Sequence, residues 1–138
     1  MIVFVDTTIW SLALRRHRPK TNEQILIDEL AELITEYRAF LIGPIRQEIL
    51  SGIPSPKQFE MIRQHLSAFE DLPIVEADYE QAARLFNTCR KKGVQGSHID
   101  FLICAVATRH SAPVFTTDKD FRNYALHLDL ELHKPRKG

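Results

Sequence analysis

Residues 99–110 are apolar almost all the way round a helical wheel, with Asp100 the only acid among them. A helix of that kind is buried on every side, so the rest of the chain must wrap it. Short apolar runs supply the wrapping. Residues 2–5, 39–42, 73–75, 113–115 and 128–132 read as strands, and 2–5 and 113–115 are apolar enough to be covered on both faces. Helical patterns separate them: 7–14, 21–37, a helix opened by Pro44 and closed by Gly52, 57–70, 78–92, and a short one at 119–125. In 21–37, Leu26, Leu30, Leu33 and Tyr37 fall at helical spacing, while Glu23, Asp28, Glu29, Glu32 and Glu36 form an acidic face expected in solvent. Strands alternating with helices place the chain in the α/β class, an α/β/α sandwich on a mostly parallel central sheet of four to five strands.

A chain of 138 residues with 44% apolar content predicts a single domain over 1–138, with 133–138 as a mobile basic tail carrying Lys134, Arg136 and Lys137. Eighteen Lys and Arg balance eighteen Asp and Glu. Whole-chain charge therefore gives no drive toward nucleic acid, and any such binding must be local. The opening apolar run stops at Asp6, and the longest later one is too short to span a bilayer, so the chain reads as soluble and cytoplasmic, with no membrane partner. Cys89 and Cys104 lie in helical segments without a CxxC partner and read as reduced core residues. The six histidines show no zinc spacing, and the five glycines form no phosphate loop.

Four acids carry the functional signal: Asp6, Glu48, Asp100 and Asp118. Each has an ordinary structural role available. Asp6 and Asp118 (or Thr117) suit helix N-caps, Ser97 with Asp100 matches a capping box, and Glu48 suits a solvated helix face. Three of the four nevertheless stand just after a strand or in the first turn of a helix. In an open parallel sheet that rim is where ligands bind. Carboxylates gathered there repel one another, and a hard cation such as Mg²⁺ or Mn²⁺ removes the conflict.

Val3-Phe4-Val5-Asp6-Thr7-Thr8, Glu48 with Gly52, Asp100 leading Leu102 to Ala107, and Thr116-Thr117-Asp118-Lys119-Asp120-Phe121 together resemble the PIN domain of VapC-type toxins. The resemblance spans nearly the full chain. It implies a PIN-like fold and a Mg²⁺- or Mn²⁺-dependent endoribonuclease, usually a homodimer, held inactive by a VapB-type antitoxin. It places Asp6, Glu48, Asp100 and Asp118 on the family's acidic quartet and Thr7 on the small polar position beside the first acid. Asp118, two residues after Thr116, is preferred over Asp120 as the fourth acid. Asp6 and Asp100 are then the expected direct metal ligands, with Glu48 and Asp118 acting through water, orienting the nucleophile or holding a second metal.

Thr7 has two available roles, a contact to a phosphate or ligating water, and satisfaction of its own helix turn. Arg15, Arg16, His17, Arg18 and Lys20 exceed what one helix C-terminus needs, so Arg15, Arg16 and Arg18 are read as RNA phosphate contacts. Arg90, Lys91 and Lys92 end a helix whose dipole they complement. His98 is a candidate to line the site, or a loop residue. Apolar surface from 9–14 and 45–53 is expected to dock the antitoxin. A catalytically inactive PIN-like module that binds RNA or protein is the alternative reading. A haloacid-dehalogenase-like phosphatase lacks its D-x-D here, and a receiver domain lacks its paired acid beside the first strand.

Overall fold

The computed structural model describes residues 1–14 and 18–137. The elements run β1 (Val3–Val5), α1 (Thr7–Leu14), α2 (Thr21–Thr35), β2 (Ala39–Phe40), α3 (Gly43–Leu50), α4 (Pro56–Leu66), α5 (Glu76–Lys91), α6 (His98–Arg109), β3 (Val114–Phe115) and α7 (Asp120–His127). The strands pair in the order β2-β1-β3, all parallel, with Val3 opposite Ala39 and Phe4 opposite both Phe40 and Val114. Every residue of β1 is buried, as a central strand covered on both faces requires.

The α/β class and parallel sheet agree with the sequence reading, while the two expected outer strands shrink to single bridges. Leu41 pairs with Asp71, and Leu72 N donates to Leu41 O at 2.8 Å. Pro73 then ends the ladder, because it has no N–H to give. On the other edge Val114 pairs with Leu132, through Val114 N to Glu131 O and His133 N to Val114 O. Here α7 is the cause: it continues to His127 and closes with Leu128 N on Tyr124 O, leaving few residues to reach the sheet.

Phe101 through Ala107 of α6 are buried without interruption, confirming the all-round apolar helix, which packs chiefly on α5. The buried apolar residues form one cluster around β1 and α6, including Phe4, Trp10 and Phe115. Trp10 Nε1 donates to Val5 O at 3.1 Å, which fixes α1 against the strand it follows. Cys89 and Cys104 are free and buried.

Three expectations are corrected. Glu29 is not in solvent but 4% exposed, bonded to His133 Nε2 at 2.6 Å and to Arg136 Nε at 3.1 Å. The same bonds tether the basic tail to α2, where Arg136 also reaches Glu32 and Glu36. The apolar residues meant for antitoxin docking mostly face inward: Ile9, Trp10, Leu12, Ile45 and Ile49 are all buried. No helix among the described residues is long and apolar enough to cross a membrane.

Candidate active site

Asp6 follows β1 directly, and its backbone carbonyl accepts the Ile9 and Trp10 amides that start α1. The residue is 6% exposed. Oδ2 accepts hydrogen bonds from Thr116 Oγ1 at 2.8 Å and Thr8 Oγ1 at 3.1 Å. Burial pushes this carboxyl above the ordinary aspartate range, Thr116, the Thr7 amide and Thr8 pull it back, and the charge of Glu48 pushes it up again. Glu48, exposed on α3, is thereby an electrostatic neighbour of Asp6.

Asp100 sits in the first turn of α6, where Ser97 Oγ accepts its amide at 3.0 Å as the cap that the sequence suggested. The carboxylate has another partner: Tyr124 Oη donates to Oδ2 at 2.6 Å. Burial raises the Asp100 carboxyl, Tyr124 and Ser97 oppose the rise, and the charges of Asp118 and Asp6 add to it. Tyr124 is fully buried, and burial together with Asp100 keeps its hydroxyl protonated, so it acts as a standing donor. Glycine at position 96 makes room for this contact, since a Cβ there would collide with Tyr124 Oη and stand 2.8 Å from Phe101.

Asp118 lies in the loop after β3. Its amide donates to Thr116 Oγ1 at 3.0 Å, and its Oδ1 accepts the Asp120 amide at 3.0 Å, an Asx-type turn that starts α7. Asp118 and Asp120 therefore do not exclude each other. Ligand oxygens of Asp100, Asp118 and Asp120 all lie within 4.8 Å of one another. Among the described residues, none of Asp6, Glu48, Asp100, Asp118 and Asp120 is paired with Lys, Arg or His. An all-oxygen donor set with uncompensated negative charge fits a hard divalent cation and no soft one.

The comparisons with known proteins bear on this rim. The PIN domain profile matches residues 3–126, which include every one of these acids. The chain belongs to the PIN domain family. Within that family it is 28% identical over 124 residues to ribonuclease VapC11 of Mycobacterium tuberculosis and to VapC ribonuclease Mb1587 of Mycobacterium bovis, covering 87% of this chain and 89% of each relative. Among solved structures, FitAcB from Neisseria gonorrhoeae superposes with a TM-score of 0.78 at 21% identity, over 99% of this chain and 100% of that one. VapBC2 from Rickettsia felis, bound to a DNA fragment from its promoter, gives 0.74 at 19% identity over 96% and 98%. These structures establish the shared PIN fold.

The PIN rim thus brings Asp6, Asp100 and Asp118 together, with Glu48 at its edge and Asp120 in the tightest group. Thr7 is placed differently from expectation: its Oγ1 is buried without a hydrogen-bond partner, while Thr8 makes the bonds to Asp6 and to the Thr117 amide. Thr8, Thr116 and Tyr124 are the residues that sequence reasoning missed. The doubled threonine after β1 was a visible signal, whereas nothing local marks Tyr124, which meets Asp100 only through packing of α7 on α5 and α6. Arg18 is exposed, and Arg15 and Arg16 lie outside the described residues. His98, also exposed, stacks on Phe86.

Proposed function

We propose that this chain is a VapC-type endoribonuclease, the toxin of a toxin-antitoxin pair, dependent on Mg²⁺ or Mn²⁺ and acting in the cytoplasm as a homodimer. The observation that carries the reading is the set of like charges at one end of β1: burial, and then the charge of Glu48 on Asp6 and of Asp118 and Asp6 on Asp100, raise the Asp6 and Asp100 carboxyls, with no protein cation among the described residues to relieve them. Relatives carrying the ribonuclease name, and superposable chains from VapBC and FitAB complexes, support the activity and a VapB-type partner.

Asp6, Asp100 and Asp118 would hold the cation, with Asp120 able to replace or join Asp118. Once bound, the cation supplies neutralisation of the phosphodiester charge and a lowered pKa for its water. The chain's own groups do the rest. Thr8 and Thr116 hold Oδ2 of Asp6, and Tyr124 holds Oδ2 of Asp100, so both carboxylates are fixed in place at the rim. Glu48, exposed at the edge, orients the attacking water and accepts its proton at a carboxylate oxygen. Arg15, Arg16 and Arg18 contact the RNA phosphates, whereas the buried Thr7 hydroxyl is out of their reach.

The experiment is cleavage of a mixed RNA panel by purified protein freed of any co-expressed antitoxin, with Mg²⁺ or Mn²⁺ and then with chelator. Cutting that needs the cation and vanishes in Asp100→Asn is expected. Folded wild type that leaves every RNA intact with either cation defeats the enzymatic reading in favour of a binding module.

A further inference from the structure

A cleft of about 300 Å³ opens beside the acids and is used by none of the hydrolytic groups; Phe86, Arg90, Val94, Gln95, Gly96 and Phe101 line it. Two of these residues connect it to the acidic rim. Gly96 and Phe101 both lie against Tyr124, with the Phe101 and Tyr124 ring centroids 4.9 Å apart, and Tyr124 holds Asp100. Behind Gly96 and Phe101, the phenol of Tyr124 links the wall of the cleft to the Asp100 carboxylate.

The lining has the chemistry of a nucleobase site. Phe86 anchors a set of flat groups: Phe101 meets it edge-on at 5.7 Å, His98 stacks on it at 5.1 Å with 16° between planes, and the Arg90 guanidinium carbon lies 5.9 Å from its centroid. Arg90 is exposed, yet its guanidinium is laid across a ring, which presents a flat cationic surface. Unpaired RNA bases stack on aromatic and arginine planes and are read through hydrogen bonds to their edges. The exposed Gln95 brings a carboxamide, donor and acceptor together, matching the mixed edge of a base. Lys91 and Lys92, exposed beside Arg90, add positive charge where the acids alone would repel an RNA strand. Complementing a helix dipole does not account for Arg90 lying over Phe86 at the mouth of a cleft.

We propose that this cleft seats one unpaired nucleobase next to the scissile phosphate, with Arg90 and Gln95 reading its edge and so setting base preference at the cut. The proposal rests on the ribonuclease reading above and extends it to substrate choice.

The test pairs two measurements on the full-length protein, Arg90→Ala and Gln95→Ala. Both residues are exposed, so the variants are expected to fold, which circular dichroism checks. Cleavage ends from a randomised single-stranded RNA library, sequenced with Mg²⁺ present, should show a base preference beside the cut that falls about tenfold in each variant. Anisotropy of labelled short homopolymers in chelator should show wild type favouring the same base, and each variant losing about tenfold in affinity for it. Wild type that cuts with a preference unchanged in both variants, or with no preference at all, overturns the base site. Unchanged RNA preference with loss of antitoxin co-purification also overturns it, reassigning the cleft to a peptide. Base-selective binding through Arg90 and Gln95 without any cleavage supports the site while removing the nuclease reading.

Discussion

Buried and half-buried acids occur in two kinds of place in this molecule, and they are treated in opposite ways. On the far side from the rim, Asp78 is 2% exposed and is gripped by Arg109, Nε on Oδ1 at 2.7 Å and Nη2 on Oδ2 at 2.9 Å, with the Val75 amide on Oδ2 as well. Glu29 has His133 and Arg136. At the rim, Asp6 and Asp100 have hydroxyl donors and other acids for neighbours. Burial raises the Asp78 carboxyl, but Arg109 and the Val75 amide outweigh it and bring the group below its usual value; Asp6 and Asp100 end above theirs. Among the described residues, the fold supplies an arginine to a buried acid twice and supplies none to the buried Asp6 or the half-buried Asp100 at the rim. That contrast argues that the missing charge arrives from outside.

The sharpest way to break the comparison is to remove a rim acid and assay the chemistry. Asp6→Asn or Asp100→Asn should lower metal-dependent RNA cleavage by about 100-fold or more, since a misheld cation forfeits several kcal/mol of transition-state stabilisation. Initial rates on the best RNA substrate, with circular dichroism to confirm folding, decide it. Rates within a factor of a few of wild type would put the rim acids on the structural side with Asp78.

The converse experiment strips a cation from the structural side. Arg109→Ala leaves Asp78 charged and enclosed, and should cost about 2 kcal/mol at pH 7, below the full cost of a broken buried pair because the Arg109 side chain is 37% exposed. The pH dependence has a fixed sign. Asp78 titrates lower when folded than when unfolded, so its contribution is complete above the unfolded aspartate range and fades as pH falls through the depressed folded value. Urea unfolding of wild type and variant from pH 7 to pH 3 should therefore show the gap narrowing toward acid. RNA cleavage by the refolded variant should remain metal-dependent.

How much of this contrast was legible in the sequence differs between its two halves. Asp6, Asp100 and Asp118 could be placed because each sits where an apolar run stops or a helix starts, and the parallel α/β layout brings such points to one edge. The buried pairs could not. Glu29 belongs to a helix face carrying four other acids, and only the return of 131–137 along the sheet edge covers it, a contact more than a hundred residues away in sequence. Tyr124 escaped for the same reason, its hydroxyl meeting Asp100 through tertiary packing. The outer strands were overcalled because periodicity registers apolar runs but not whether neighbouring amides remain free to extend a ladder.

A smaller effect of opposite sign tests the rim as a source of strain. Without divalent cation, Asp6→Asn and Asp100→Asn should each be more stable than wild type at pH 7, by on the order of 1 kcal/mol. Their carboxyls titrate above the unfolded value, so burial favours the protonated form: the wild type is at no disadvantage below the unfolded aspartate range and loses stability as pH rises through the raised folded values. Melting in chelator should show the variants' advantage vanish toward pH 3, and added Mn²⁺ should stabilise wild type more than either variant. Variants less stable than wild type at pH 7 in chelator would mean that the hydroxyl network, not charge, dominates there.

Arg136→Ala should give the smallest change, and its size says which contacts hold the tail. Arg136 bridges Glu29, Glu32 and Glu36, but its side chain is 40% exposed, so water competes for each of those bonds. Glu29 keeps His133 after the substitution, and Val114 keeps both backbone bonds to 131 and 133. A small loss of stability follows, together with faster amide exchange at His133 and unchanged cleavage of RNA, because α2 and the rim lie apart. A much larger loss would mean that His133 alone does not satisfy Glu29, and that this acid needs its arginine as strictly as Asp78 needs Arg109.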